Sequence, residues 1–162
     1  DSAKYLYTGT RDFIWAIDPV NDELSKLFIH IRDFGEKLFE EKSINFRAFN
    51  EVKDKIKLPY GFSREANLIF KEAMTNAFKS SQAKNVTLTL RRDEKSGFEM
   101  SFEDDGIGFN TADIEKSNGL KNIYERASRI NAVLRIRSVK NEGTKIVLSF
   151  TLTKTLKYGL TV

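Results

Sequence analysis

The sequence predicts an α+β domain: a two-layer α/β sandwich with a mixed, mostly antiparallel sheet and helices on one face. Two observations carry this. The strand-like segments alternate apolar and polar side chains, so each buries one side only; strands of a parallel sheet covered on both faces would show unbroken apolar runs. The helix-like segments repeat their apolar residues in steps of three, four and seven, which gives each a single stripe to lay on the sheet.

The elements follow in order. Residues 11–18 read RDFIWAID, a short apolar stretch closed by Pro19, whose ring biases its predecessor away from helix. From about residue 22 to 42, Leu24, Leu27, Phe28, Ile31, Phe34, Leu38 and Phe39 form one helical face. Asn21 is placed to cap that helix, and Asp22 and Glu23 suit its positive first turn. INFRAF, residues 44–49, alternates as a strand. A second helix is expected from Ser63, a good N-cap residue, to about Ser80. Two strands come next, one with Val86, Leu88 and Leu90 on a face, the other with Phe98, Met100 and Phe102, joined by a turn at KSG. A glycine-containing segment, residues 106–119, leads into a third helix with Leu120, Ile123, Tyr124, Ala127 and Ile130 along one side. Leu134 and Ile136 mark one further strand; Ile146, Leu148, Phe150 and Leu152 mark another. Residues 153–162 alternate weakly and fit either an edge strand or a loose tail.

Bulk properties narrow the function. A chain of 162 residues, 40% apolar and 31% charged, suits one folded domain with a substantial core rather than a disordered segment. Thirteen Phe against one Trp predict a core filled largely by phenylalanine rings. No apolar run approaches the ~20 residues that cross a bilayer, and the first residues do not read as a secretion signal. Without cysteine there is no disulfide framework and no thiolate metal site, which favours a reducing compartment. The net charge of +4 is spread among interleaved acids and bases, as in EVKDKIKL, so a solvated mixed surface outweighs nucleic-acid binding.

Three clusters carry chemistry. In KEAMTNAFKSS, Glu72, Asn76 and Lys79 or Ser80 share a helical face, and Ile69, Ala73 and Ala77 are expected on the opposite flank against the sheet. A carboxylate, an amide and an ammonium on one stripe suit a magnesium triphosphate: the amide oxygen can ligate hard Mg²⁺, the ammonium can meet phosphate, and the carboxylate can order water or accept a proton. A merely exposed polar face would look the same. In EDDGIGF, Gly106 and Gly108 let the chain turn sharply and approach a flat ligand, and Asp104 can accept a hydrogen bond from an exocyclic amino group. In SNGLKNIYERA, Asn118 and Gly119 stand where a helix begins and free N–H groups can receive phosphate. Near the end, EGTKIVL puts Gly143 and Thr144 at the entry to the final strand, where a hydroxyl can reach a nucleotide base.

Taken in this order, ExxxN on a helix, DxGxG after a strand, NGL opening a helix and GT before a last strand resemble the ATPase superfamily of gyrase, heat-shock chaperone, histidine kinase and mismatch-repair proteins. Within it, KEAMTNAFK, DDGIGF, GLKNIYERA and GTKIVLSF look most like the catalytic ATP-binding domain of bacterial two-component sensor histidine kinases, of the short-lid type without a Phe-rich lid motif. RDFIWAIDPVNDELSKLFIHIRDFGEKL is similar to the junction between the dimerisation helices and that domain, so the resemblance spans about residues 11–150.

The resemblance implies the Bergerat-type ATP-binding fold, with ATP and Mg²⁺ as ligands. By position it makes Asn76 the Mg²⁺ ligand, Glu72 the neighbouring acid and Lys79 a phosphate contact, these three being the catalytic residues. Asp104 would read the adenine amino group with Thr144 supporting it through water. Gly106 and Gly108 would form a first glycine box, Gly119 and Leu120 with Asn118 beside them the remains of a second, and residues 109–118 the ATP lid. Residues 1–20 would be the end of the dimerisation helix and linker, 21–153 the ATPase domain and 154–162 a tail. The implied reaction is transfer of the γ-phosphate to a histidine upstream of Asp1, in a homodimer that then serves a response regulator receiver domain. No nucleic acid is implied, and the chain is expected in the cytoplasm, not itself in the membrane, as part of a parent anchored in the bacterial inner membrane. His30, the only histidine, lies in LFIHIRDF without the Glu-rich phosphoacceptor motif and is not the expected acceptor. The chain departs from the family pattern at Ser117 (usually glycine), at Ser80 (often histidine) and at Asp105 (commonly asparagine), where an added negative charge is expected near the polyphosphate. Ser117 and Ser80 motivate the alternative, a degenerate, non-catalytic module that keeps the fold for regulation or dimerisation. A serine kinase of the anti-sigma type shares the fold but has no such dimerisation junction.

Overall fold

The computed structural model describes residues 2–112 and 118–152. In chain order it contains helix α1 (Ser2–Ile17), a 3-10 turn (Pro19–Asn21), helix α2 (Leu24–Glu40), strand β1 (Asn45–Asn50), helix α3 (Phe62–Ser80), strands β2 (Asn85–Arg92) and β3 (Phe98–Asp104), helix α4 (Asn118–Arg129), and strands β4 (Val133–Val139) and β5 (Gly143–Phe150). Ser117 and the weakly alternating tail, residues 153–162, lie outside the described residues, as do residues 113–117 of the expected lid.

The five strands form one sheet in the order β1-β2-β3-β5-β4. Only β1 and β2, joined through α3, are parallel; the other three pairings are antiparallel. The expected mixed, mostly antiparallel sheet is therefore present. Alternation decides its faces: Val86, Leu88, Leu90, Phe98, Met100, Phe102, Leu134, Ile146, Leu148 and Phe150 are buried in one core with the inner stripes of α2, α3 and α4. Arg91, Glu103, Arg135, Arg137 and Lys145 stand exposed on the strands. Phenylalanine rings do fill the centre. Phe39 of α2 has no solvent exposure and lies 5.7 Å from Phe46 of β1, 6.5 Å from Phe78 of α3 and 5.9 Å from Phe102 of β3, centroid to centroid. No helix among the described residues is long and apolar enough to cross a membrane.

Two expected caps differ. Asn21 ends the 3-10 turn instead of capping α2, and its side-chain amide donates to the Trp15 carbonyl at 2.9 Å. The reason is tertiary. Residues 22–24 are drawn into an antiparallel bridge with residues 56–58, through Leu24 N–H to Ile56 O and Leu58 N–H to Asp22 O, both 2.9 Å, so the helix cannot start before Leu24. Ser63 lies inside the first turn of α3, fully buried, because Gly61 at φ 84° supplies the left-handed residue that turns the chain into the helix.

Candidate functional site

The antiparallel register of β3 and β5 sets Asp104 directly opposite Thr144, and that of β4 and β5 sets Ser138 opposite Thr144 from the other side. α3 lies over this end of the sheet. The result is a cavity of about 250 Å³ whose walls include Ala73, Asn76, Ala77 and Ser80 of α3, Asp104, Gly108 and Phe109 at the end of β3, Leu120 of α4, and Thr144 and Ile146 of β5. Residues more than forty positions apart in the chain thus share one apolar-floored, polar-rimmed cleft, the usual composition of a small-molecule site.

Asp104 is the buried acid of this cleft, 7% exposed. Its Oδ1 accepts from the Gly106 amide at 2.9 Å. Burial pushes its carboxyl above the ordinary value, against the pull of the Gly106 and Thr144 amides, with the neighbouring charges of Asp105 and Glu103 adding to the rise. Above it, Ser138 and Thr144 share a hydroxyl hydrogen bond of 2.7 Å, and Ser138 Oγ also accepts from the Phe109 amide at 2.8 Å, tying the start of the expected lid to the sheet. Ser138 was not singled out in the sequence. A hairpin centred on Asn141 pairs it with Thr144 by symmetry, so the signal was there once the turn was placed.

Asp105 fastens a loop beside the cleft. Its carboxylate is absent from the cleft wall and accepts from the Lys84 and Asn85 amides at 2.8 and 3.0 Å and from the Asn85 side chain at 2.8 Å, closing the loop into β2. Desolvation works against its charge, but those hydrogen bonds outweigh it and hold the carboxyl below the usual range.

The glycines at the end of β3 are also required by close packing. A Cβ on Gly106 would run into the Ser81 carbonyl at the end of α3, and one on Gly108, at φ 63°, into the Val139 carbonyl. They let the β3 end pack against α3 and the β4–β5 turn, as the hydrogen bonds Ile107 N–H to Ser81 O (2.7 Å) and Asn141 N–H to Ile107 O (2.6 Å) require. Gly106→Ala is therefore expected to destabilise the fold by roughly 1–3 kcal/mol through overpacking, read as a lower midpoint in urea unfolding.

The expected helical flanks are rearranged as well. Ala73 and Ala77 line the same cleft as Asn76 and Ser80, because residues 73, 76, 77 and 80 fall on one stripe of α3, and small side chains there leave the space open. Glu72 and Gly119 come together one turn away. A Cβ on Gly119 would strike the Glu72 carboxylate, and both residues line a smaller neighbouring cavity of about 180 Å³. Lys79 and Asn118 are exposed and do not wall the cleft. His30 is not part of the cleft wall and lies half-buried against Asp12 and Trp15 of α1.

The donor set suits a Mg²⁺ delivered on phosphate. Asn76 offers a single amide oxygen at the cleft, and the described residues hold no cluster of three or more Asp, Glu or His side chains that would cage a metal alone. Mg²⁺ keeps waters and phosphate oxygens and takes one or two protein ligands, so one amide oxygen fits.

Residues 61–155 match the family described as histidine kinase-, DNA gyrase B-, and HSP90-like ATPase. Among curated relatives, the sensor protein VraS of Staphylococcus saprophyticus is 31% identical over 145 residues, covering 82% of this chain and 41% of that protein. VraS of Staphylococcus aureus strain COL is 30% identical over 149 residues, covering 84% and 42%. The chain thus spans about two fifths of the length of the curated relatives it matches. Among solved structures, the histidine kinase domain of the blue-light activated histidine kinase of Erythrobacter litoralis EL346 superposes with a TM-score of 0.65 at 17% identity, over 78% of this chain and 61% of that one. The Acinetobacter baumannii histidine kinase AdeS gives 0.66 at 10% identity, over 92% and 79%. At such identities the structural likeness speaks for the fold.

Proposed function

Because this chain belongs to the family of histidine kinase-, DNA gyrase B-, and HSP90-like ATPases, we propose that it binds MgATP in the cleft between α3 and the sheet and serves as the catalytic ATP-binding part of a sensor histidine kinase. The observation that carries this is the convergence of Asn76, Asp104, Gly108, Leu120 and Thr144 on one cavity. Residues 21–153 form the ATPase domain in this reading, and α1 is the end of a dimerisation helix whose upstream part bears the phosphoacceptor histidine. The partners are a second copy of the protein and the receiver domain of a response regulator, and the parent is anchored in the bacterial inner membrane with this part in the cytoplasm.

Each residue then has a physical task. Asp104, ionised, accepts a hydrogen bond from the adenine amino group, and Thr144, oriented by Ser138, reaches the base through water. Ile146, Leu120 and the small Ala73 and Ala77 hold the ring's apolar faces. Gly106 and Gly108 set the backbone from which the lid, residues 109–118, departs. Asn76 holds the Mg²⁺, which supplies charge neutralisation along the polyphosphate. Lys79 and Asn118, at the exposed rim, and the α4 start at Gly119 face the phosphates, and Glu72 orders the acceptor histidine or takes its proton. The chain's contribution to phosphoryl transfer is positioning and electrostatic stabilisation.

Calorimetry with a non-hydrolysable ATP analogue and Mg²⁺ tests the reading. One site per chain is expected, with Asn76→Ala weakening Mg²⁺-dependent binding by about 10-fold, the worth of one hydrogen bond or ligand to a charged group. Equal binding by that variant refutes the metal role. No binding to the unaltered chain refutes the ATP site itself.

A further inference from the structure

One carboxylate of α1 joins two other helices. One oxygen of Asp12 lies 3.0 Å from His30 Nε2 on α2, and the other holds the Lys71 ammonium of α3. The His30 ring stacks on Trp15 of α1 at 3.8 Å, and the Lys71 ammonium stands 4.4 Å over the Phe34 ring. The three polar side chains keep only 15%, 24% and 13% of their exposure for Asp12, His30 and Lys71. Burial pulls the Lys71 ammonium down to about 8. In such a pair the desolvation of both charges offsets much of their attraction, whereas stranding one charge without a partner is strongly unfavourable. The ammonium therefore needs an anion but can exchange one anion for another at small net cost.

Lys71 also borders a second cavity, the one of about 180 Å³ that holds Glu72, Thr75, Gly119 and Arg126. Arg126 of α4 is paired with Glu65 of α3 at 3.1 Å, within the ATPase domain of the reading above, whereas the partner of Lys71 comes from α1. Glu72 and Gly119 belong to the phosphate end of the nucleotide in the reading above, and this inference rests on that reading. We propose that Lys71 is a further phosphate-contacting residue, and that Asp12 of α1 and the terminal phosphate of the nucleotide compete for its ammonium. Lys71 directly precedes Glu72, so the exchange takes place one residue from the proposed catalytic acid. Linkage makes the competition reciprocal: whatever loosens α1 at Asp12 tightens the triphosphate by the same factor.

The test uses this chain, the non-hydrolysable ATP analogue with Mg²⁺, ADP, and hydrogen exchange of the α1 amides. Asp12→Asn is expected to bind the analogue about 5-fold tighter or more, the lower end of coupling between sites, and to bind ADP as the unaltered chain does. Lys71→Met is expected to lose affinity for the analogue by a similar factor, with Lys71→Arg restoring it. In the unaltered chain the analogue is expected to speed exchange at residues 9–17 while ADP does not, and Trp15, the only tryptophan, reports the same change by fluorescence. If Lys71→Met does not fold, the Asp12→Asn affinity and the exchange in the unaltered chain still decide. Unaltered analogue affinity in Asp12→Asn, together with α1 exchange indifferent to the analogue, overturns the proposal while the ATP site stands. An unaltered chain that binds no analogue removes both.

Discussion

Asp104→Asn is expected to weaken ATP about 10- to 100-fold and to erase any preference for ATP over GTP. The side chain is nearly isosteric, so the cleft keeps its shape; what changes is the charge of the acceptor. A hydrogen bond to a buried carboxylate contributes on the order of 1.5–3 kcal/mol. The Asn amide can turn its NH2 toward the adenine amino group so that the whole bond is lost, which converts to the stated range. The carboxylate at Asp104 is also held at a disadvantage without ligand, since burial raises its pKa. The sign follows from linkage: a raised native pKa adds stability below the unfolded value, lost as pH rises through the folded one, so near neutrality the ionised group works against folding. Asp104→Asn is therefore expected to leave the thermal midpoint unchanged or higher while binding collapses, the opposite of a folding defect. In the unaltered chain, affinity for the analogue should fall with decreasing pH as Asp104 takes up its proton, starting above the ordinary carboxylate range. Titration calorimetry with ATP and GTP, repeated across pH, checks both outcomes; unchanged ATP-over-GTP preference in the variant would remove Asp104 from base recognition.

Phe39→Ala is expected to lower stability by about 3–5 kcal/mol, the range for truncating a buried aromatic ring. Phe39 is where α2, β1, α3 and β3 meet, through its contacts with Phe46, Phe78 and Phe102. A void there strips partners from three rings at once, and the surrounding helices are pinned by the sheet and cannot collapse into it. Against a total of roughly 5–15 kcal/mol for a domain, the loss is a large fraction, and the thermal midpoint should drop on the order of 10 °C. Calorimetric or circular-dichroism melting reads it directly. A drop of only a degree or two would mean that the α2 layer packs independently of the sheet.

The contrast between these residues explains what the sequence could reveal. Phe39 was legible as core because helical periodicity places it with Leu24, Leu27, Phe28 and Ile31, and burial follows from local pattern. Asp104 was legible by its place at a strand end beside two glycines. The reason for those glycines was not, because the atoms they avoid, the Ser81 and Val139 carbonyls, come from distant parts of the chain. The same holds for the carboxylate of Asp105, whose hydrogen-bond donors, the Lys84 and Asn85 amides, lie far back along the chain at the start of β2. Asn21 and Ser63 had the right chemistry for caps, yet a bridge to residues 56–58 and the left-handed Gly61 moved both helix starts.

By itself, then, the sequence determined the layers and the one-sided sheet, which depend on period close along the chain. The set Asn76, Asp104, Gly108, Leu120 and Thr144 was singled out by the order of its motifs and the resemblance they carry. Tertiary structure alone decided that Ser138 faces Thr144, that Ala73 and Ala77 share the cleft with Asn76, and that Asp12 of α1 grips both His30 and Lys71. Such contacts join residues far apart in the chain, and their energies arise only when packing removes water from both partners, a condition no local window contains.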